Sequence, residues 1–171
     1  MLDVLVIDPQ IGWCDQYPGV PRTFHKLAKW LSKHELWDRA TVAYFVSDES
    51  SPFRAQMPWW EGFRSESDYA IIDPYDKLTG KIVVHNTYGM PNEFWQSRPD
   101  KLLITGVEAD ASVAKVAMDA FDQGIEVYVA PDFLASAYGL AGLDTGVAVL
   151  AKVLGKQRVL DADDLEQLLL S

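Results

Sequence analysis

Short apolar runs and helical stripes alternate along this chain, and the clearest unit of that pattern spans Leu102 to Asp132. Leu102 to Thr105 is mostly apolar and stops at Gly106, which predicts a strand buried on both faces. Ile125 to Ala130 predicts the next strand. Between them, apolar residues recur at i, i+3, i+4, i+7 and i+8, which predicts one buried face of a helix. The residues of that face are Val113, Val116, Ala117, Ala120 and Phe121.

The ends of this predicted helix have their own signals. Asp110 is expected to cap its first turn, and Gly124 is expected to adopt the left-handed conformation that ends many helices. A strand, helix and strand in this order form a crossover between parallel strands. The turn from Gly106 to Ser112 then opens at the carboxyl edge of the sheet, where open α/β folds place their ligands.

The rest of the chain repeats the alternation of strands and helices. Further strands are predicted at Asp3–Ile7, Ala40–Val46 and Lys81–Val84, with a last short strand near Arg158–Leu160. Helical stripes are predicted at Val20–Leu31, Pro91–Gln96, Leu140–Leu154 and after a capping Asp161. This pattern predicts an α/β fold with three layers, a doubly wound parallel sheet between two layers of helices. Residues 1–171 are expected to form one domain.

From Ser47 to Gly80 the periodic pattern breaks down and aromatic residues become frequent. Such a long excursion within a compact domain usually has a function or serves an interface. Trp59 and Trp60 would suit the core of an interface between copies of the chain. The alternative is that these two tryptophans anchor the excursion to the core of their own chain.

Composition and charge narrow the function further. The net charge is −10 and no basic cluster is present, so nucleic acid is not an expected partner. No apolar run is long enough to cross a membrane, and Met1 leads straight into a strand without an export signal. Cys14 is the single cysteine, which excludes an internal disulfide. The sequence predicts a cytoplasmic protein.

Three polar sites follow predicted strands and should meet at one edge of the sheet. Asp8 follows the first strand, His85 and Asn86 end the third, and Ser112 opens the helix of the central unit. No glycine-rich phosphate loop follows the first strand, and the three histidines are scattered, so neither a cofactor nor a metal is expected. Ser112 could equally be a polar residue at a helix start with no catalytic role.

The segments VLVIDPQ and GVEADASV, with the third strand ending at His85-Asn86, resemble the isochorismatase-like cysteine hydrolase superfamily. This family includes nicotinamidases, N-carbamoylsarcosine amidohydrolases and isochorismatases. The resemblance implies a triad of Asp, Lys and Cys, a cis peptide bond at Val107-Glu108, and assembly into dimers or tetramers. It also implies substrate or oxyanion contacts from the turn residues Val107, Glu108 and Ala111, and from Trp13.

Carried over residue by residue, the triad is incomplete. Asp8 matches the acid, whereas Ser112 stands at the cysteine position, and the lysine position falls on Asn86 or, with a register one residue earlier, on His85. Cys14 lies in the loop after the first strand and does not match the motif. A helix N-terminus brings a thiol pKa toward neutrality, but a serine hydroxyl starts several units higher and needs a strong base.

Three functions are compatible with these residues. The first is a member of the superfamily with a degenerate centre, which keeps the pocket for a small-molecule ligand and has lost thiol amidase activity. The second is a hydrolase of the isochorismatase type that uses Asp8 as its acid or base on a small cytoplasmic metabolite. The third is a hydrolase with Ser112 as nucleophile and Asp8 or His85 as base, which requires a base within about 3.2 Å of the hydroxyl or one water away.

Overall fold

The computed structural model describes residues 1–78, 81–97 and 99–170, and within them five strands form one parallel sheet. The strands are β1 (Leu2–Ile7), β2 (Ala40–Phe45), β3 (Ile82–His85), β4 (Lys101–Gly106) and β5 (Glu126–Leu134). Their order across the sheet is β3-β2-β1-β4-β5, and every neighbouring pair is parallel. The predicted parallel α/β fold is therefore confirmed.

Helices connect these strands and cover the sheet. They are α1 (Ile11–Cys14), α2 (Gly19–Lys33), α3 (Pro52–Gln56), α4 (Asn92–Trp95), α5 (Ser112–Asp122), α6 (Gly139–Leu154) and α7 (Ala162–Leu170). Two predicted helix ends are confirmed, because Gly124 has a φ of +75° and the Asp161 carboxylate accepts a hydrogen bond from the Asp164 N–H at 2.8 Å.

Alternation along the central strand β1 builds a core on each face of the sheet. Val4 and Val6 pack on one face with Phe24 and Leu27 of α2 and with Leu165 of α7. Leu5 and Ile7, which alternate with them along the strand, pack on the other face with α5 and α6. Successive side chains of a strand point to opposite faces, so a strand covered on both sides becomes a continuous apolar run.

Four local predictions are wrong. Phe121 is 59% exposed, because a residue eight positions after Val113 lies about 80° around the helix from it. Leu140 is 67% exposed, since the inward face of α6 carries Gly142 and Gly146, which lie against Ser136 and the backbone of Ala109. The last short strand is a single bridge between Val159 and Val129 that follows a short 3₁₀ helix. Asp110 does not cap α5, whose cap position is held by Ala111.

The aromatic excursion after β2 folds back onto its own chain. Phe53, Phe63 and Tyr75 are buried, and Trp60 packs on Phe53 at a ring distance of 5.4 Å. The last two residues of the excursion, 79 and 80, lie outside the described residues. Anchoring to the core therefore accounts for most of its aromatic rings, with the 71% exposed Trp59 as the exception.

Gln10, directly beyond β1, ties this excursion to the sheet. Its side chain donates to the Phe45 carbonyl at 3.0 Å and accepts from the Phe45 N–H at 2.8 Å. Gln10 also forms a bridge with Ile71. The excursion is thereby held over the carboxyl edge of the sheet.

Over the described ranges, no helix has the length and apolarity that a membrane crossing requires.

Candidate active site

The carboxyl ends of three strands bring the predicted polar residues to one edge of the sheet. Asp8 follows the central strand β1, His85 ends β3, and Ser112 follows the neighbouring strand β4 after a short turn. Asp8 adopts a φ of +55°, a left-handed conformation that aspartate tolerates better than most residues. The sheet topology therefore gathers the residues that the sequence singled out.

Asp8 and His85 form a buried pair. His85 Nε2 lies 2.7 Å from Asp8 Oδ1, and each side chain is only 1% exposed. The other ring nitrogen, Nδ1, lies 2.8 Å from the Thr87 carbonyl and donates its proton there. One further proton lies between Nε2 and the carboxylate, so the pair as a whole has no net charge, like an Asp–Lys pair.

Burial and mutual attraction set how this pair holds its proton. Burial is the largest influence on Asp8 and raises its pKa, while the charge and hydrogen bond of His85 oppose the rise only in part. Burial alone would lower the pKa of His85, but Asp8 and the Thr87 carbonyl raise it above its usual value. Both directions favour the state in which the shared proton is kept.

Asn86 faces away from this pair. Its side-chain amide donates to the Ser50 hydroxyl at 3.1 Å, and its backbone carbonyl accepts from the Ser51 hydroxyl at 2.8 Å. Asn86 thus fastens the loop after β2. Of the two candidates for the lysine position, His85 is the one whose side chain contacts Asp8.

The turn between β4 and α5 lies against the end of β1. Gly106 has a φ of +102°, and a Cβ there would lie 2.1 Å from the Ile7 carbonyl oxygen, so only glycine fits. The next residue, Val107, donates its N–H to the same carbonyl at 3.1 Å. The peptide bond between Val107 and Glu108 is cis, as the family resemblance implied.

Hydrogen bonds of the turn limit which N–H groups could hold an oxyanion. Val107 N–H is committed to Ile7, and Ala111 N–H donates to the Glu108 carbonyl at 3.1 Å. The N–H groups of Glu108, Asp110 and Ser112 have no hydrogen-bond partner within the described part of the chain. These three groups, rather than those of Val107 and Ala111, are free to bind an oxygen atom.

A cavity of about 420 Å³ opens beside this turn. Four of the predicted site residues line it, namely Trp13, Glu108, Ala111 and Ser112. Asp8, His85 and Asn86 do not line it. Phe45 does, and its ring also packs edge-on against the His85 ring at 5.6 Å. The cavity and the buried Asp8–His85 pair are therefore neighbours, because Phe45 lines the one and packs against the other.

Ser112 begins α5 and borders the cavity. No described side chain accepts a hydrogen bond from it, and both ring nitrogens of His85 are already engaged. Cys14 offers no alternative nucleophile, because burial and the nearby Asp15 raise the pKa of its thiol to about 11. Within the described residues, neither the Ser112 hydroxyl nor the Cys14 thiol has a base as its hydrogen-bond partner.

The Glu108 side chain is a site feature that the sequence reasoning missed, since Glu108 was selected only for its place in the turn. Its Oε1 accepts from the Ala137 N–H at 3.2 Å. Burial raises the pKa of Glu108 to about 7; the Ala137 bond opposes the rise, and Asp110 and Asp8 add to it. The glutamate inside the GVEADASV motif was the sequence signal from which an acidic side chain at the site could have been predicted.

Within the described ranges, no group of three or more His, Cys, Asp and Glu is placed to hold a metal ion.

The chain folds as a three-layer parallel α/β protein, with Asp8 just beyond the central strand β1 and a cavity beside the turn that follows β4. The model of the isochorismatase domain family matches residues 4–156, and the chain belongs to that family. No curated protein matches the sequence.

Solved structures resemble the fold over nearly its whole length. An isochorismatase-like hydrolase from Alkaliphilus metalliredigens has a TM-score of 0.77 at 17% identity and covers 98% of each chain. N-carbamoylsarcosine amidase from Thermoplasma acidophilum has a TM-score of 0.74 at 14% identity, covering 90% of this chain and 92% of its own. The pyrazinamidase/nicotinamidase of Streptococcus mutans has a TM-score of 0.72 at 17% identity, covering 91% and 98%. At such identities the likeness concerns the fold.

Proposed function

We propose that this protein uses the isochorismatase fold to bind a small molecule in the cavity beside Ser112 and does not hydrolyse amides through a covalent intermediate. The observation that carries the proposal is that the Ser112 hydroxyl borders the cavity without a base, while His85 and Asp8 are bonded to each other. A neutral serine hydroxyl is a weak nucleophile, and a helix N-terminus does not bring its pKa near neutrality.

The acid-only reaction of the isochorismatase type is the alternative, and it would use Asp8. The raised pKa of Asp8 suits an acid that keeps its proton. However, Asp8 is buried and does not line the cavity, so a ligand bound there would not contact it. Ligand binding without this chemistry therefore ranks first.

The proposal predicts that wild-type protein turns over no member of a panel of small amides at an ordinary enzymatic rate. Ser112→Cys alone should restore little, because the thiolate would lack the lysine of the family triad. Ser112→Cys combined with His85→Lys should restore more than either change, since His85 is the residue that contacts Asp8. Single-turnover and steady-state assays of product release measure these rates.

The matched control is Ser112→Ala, which removes the hydroxyl and keeps the small side chain. Wild-type turnover of about 1 s⁻¹ or more, abolished by Ser112→Ala, would establish Ser112 as a nucleophile. The proposal would then be wrong.

A further inference from the structure

Aromatic rings form much of the wall of the cavity. Trp13 and Trp60 stack with their ring centres 6.1 Å apart, and Phe53 lies 5.4 Å from Trp60 and 4.7 Å from Tyr88. Tyr138, which is 79% exposed, also lines the cavity. The rings present π-faces and edges from several elements around one space. Such groups of rings bind cations as well as apolar groups.

The polar part of the wall is acidic. Glu108 and Asp110 both line the cavity, and Asp110 Oδ1 is buried without a hydrogen-bond partner. None of the described residues along the wall is Lys, Arg or His. The guanidinium of Arg54 lies 5.9 Å from the ring centre of Trp60, one of the aromatic rings that line the cavity. Its N–H groups donate hydrogen bonds to the backbone carbonyls of Ser47, Gly62 and Phe63.

We propose that the ligand of this cavity is a small organic cation, such as an alkylated or quaternary ammonium compound. The inference rests on the proposed function, since it names the class of molecule that the binding cavity takes. The aromatic faces attract the positive charge of such a ligand and also remove its alkyl groups from water. The acidic side chains of Glu108 and Asp110 neutralise that charge. A carboxylate ligand would instead meet two acidic side chains, Glu108 and Asp110, and no basic partner within the described lining. A volume of about 420 Å³ lies in the usual range of about 300–1,000 Å³ for small-molecule sites.

The state of Glu108 in the free protein supports the same ligand. Burial raises its pKa to about 7, so near neutral pH about half of its carboxyl groups carry a proton. A bound cation would favour the charged form and release that proton. The other ionisable groups facing Glu108 are Asp110, Asp8 and the hydroxyl of Tyr88, and His85 lies behind Asp8. Affinity should therefore rise with pH up to about 7 and then level off.

The test is isothermal titration calorimetry with two probes of the same shape, choline and its uncharged isostere 3,3-dimethylbutan-1-ol. Wild-type protein should bind choline about tenfold or more tightly than the alcohol. At pH 6.5, repeating the choline titration in buffers of different ionisation enthalpy should show proton release.

Two variants locate the effect. Glu108→Gln keeps the shape of the side chain and should weaken choline about tenfold while leaving the alcohol unchanged. Trp60→Leu keeps an apolar wall and removes the π-face, so it should also weaken choline selectively. Glu49→Gln, an exposed acid outside the cavity, is the matched control and should change neither probe. A thermal melt of each variant verifies folding.

The outcomes separate the inference from the function on which it rests. Equal affinities for the two probes, or full choline affinity in Glu108→Gln, would overturn the cation inference and leave a ligand cavity in place. Failure of choline to bind wild-type protein at millimolar concentration would overturn it as well. The amide assays, which use no cation, decide the proposed function separately.

Discussion

At the residue scale, the side chain that contacts Asp8 is a histidine, where the family resemblance implies a lysine. A lysine reaches its partner on a flexible stem and stays charged across neutral pH. His85 is instead fixed at both ring nitrogens, by Asp8 and by the Thr87 carbonyl. Its orientation leaves no nitrogen free for Ser112. The pair is therefore suited to hold one proton in place behind the cavity.

Glu108 gives a prediction of stability against pH. Its pKa is about 7 in the folded chain against 4.5 as the ordinary value, so the folded state binds more protons between these limits. Stability should fall as pH rises from about 4.5 to 7, by up to about 3 kcal/mol at about 1.4 kcal/mol per pKa unit. Glu108→Gln removes this loss and should be more stable than wild type at pH 8.

Urea unfolding of both proteins at pH 4.5, 6 and 8 measures the effect. The difference between them should be largest at pH 8 and nearly absent at pH 4.5. Glu49→Gln, on an exposed acid, is expected to track wild type throughout. A constant difference between Glu108→Gln and wild type across this range would contradict the assignment of the raised pKa to Glu108.

At the element scale, α6 positions the turn that carries Glu108 and Ser112. Gly146 of α6 faces the backbone of that turn so closely that a Cβ would lie 2.4 Å from the Ala109 carbonyl carbon. Gly142, one turn earlier, lies against the side chain of Ser136, whose Oγ would be 2.2 Å from a Cβ there. The hydrophobic stripe predicted Leu140 on this face, because periodicity detects apolar side chains and cannot detect a helix buried through its glycines.

Gly146→Ala is therefore expected to destabilise the protein. Alanine favours a helix over glycine by up to about 1 kcal/mol, but the contact is with backbone atoms that cannot rotate away. Overpacking of this kind costs about 1–3 kcal/mol, so the clash should prevail. Thermal and urea unfolding measure the change, and ligand affinity should fall with it as the turn moves.

Thr145→Ala, on the exposed side of the same helix, is the control and should stay within about 0.5 kcal/mol of wild type. A Gly146→Ala protein as stable as wild type would show that α6 does not hold the turn.

At the scale of the whole molecule, the assembly into dimers or tetramers stays a prediction. The fold reduces the number of residues in the aromatic segment that could form the contact between subunits. Most aromatic rings between Ser47 and residue 78 are used within the chain. Trp59 is exposed, and so are Met118 and Phe121 on the outer side of α5. Trp59 is therefore the remaining candidate from the segment that was expected to form the interface.

Light scattering at micromolar concentration tests this assembly. Wild-type protein should give at least twice the monomer mass, and Trp59→Ser should shift it toward the monomer by removing a large apolar contact. Phe121→Ser, an exposed aromatic residue outside the segment, is the control and should leave the mass unchanged. A monomer mass for wild type would refute the prediction.

The sequence by itself determined the order of the strands along the chain, the parallel fold and the position of Asp8 and Ser112 at the sheet edge. It could do so because strands buried on both faces must be apolar runs, and because parallel strands place their carboxyl ends together. Only the tertiary structure decided that His85 rather than Asn86 contacts Asp8, that Glu108 lies in the cavity, and that α6 is buried through glycines. These depend on side-chain directions and distances between residues far apart in sequence, which local periodicity does not encode.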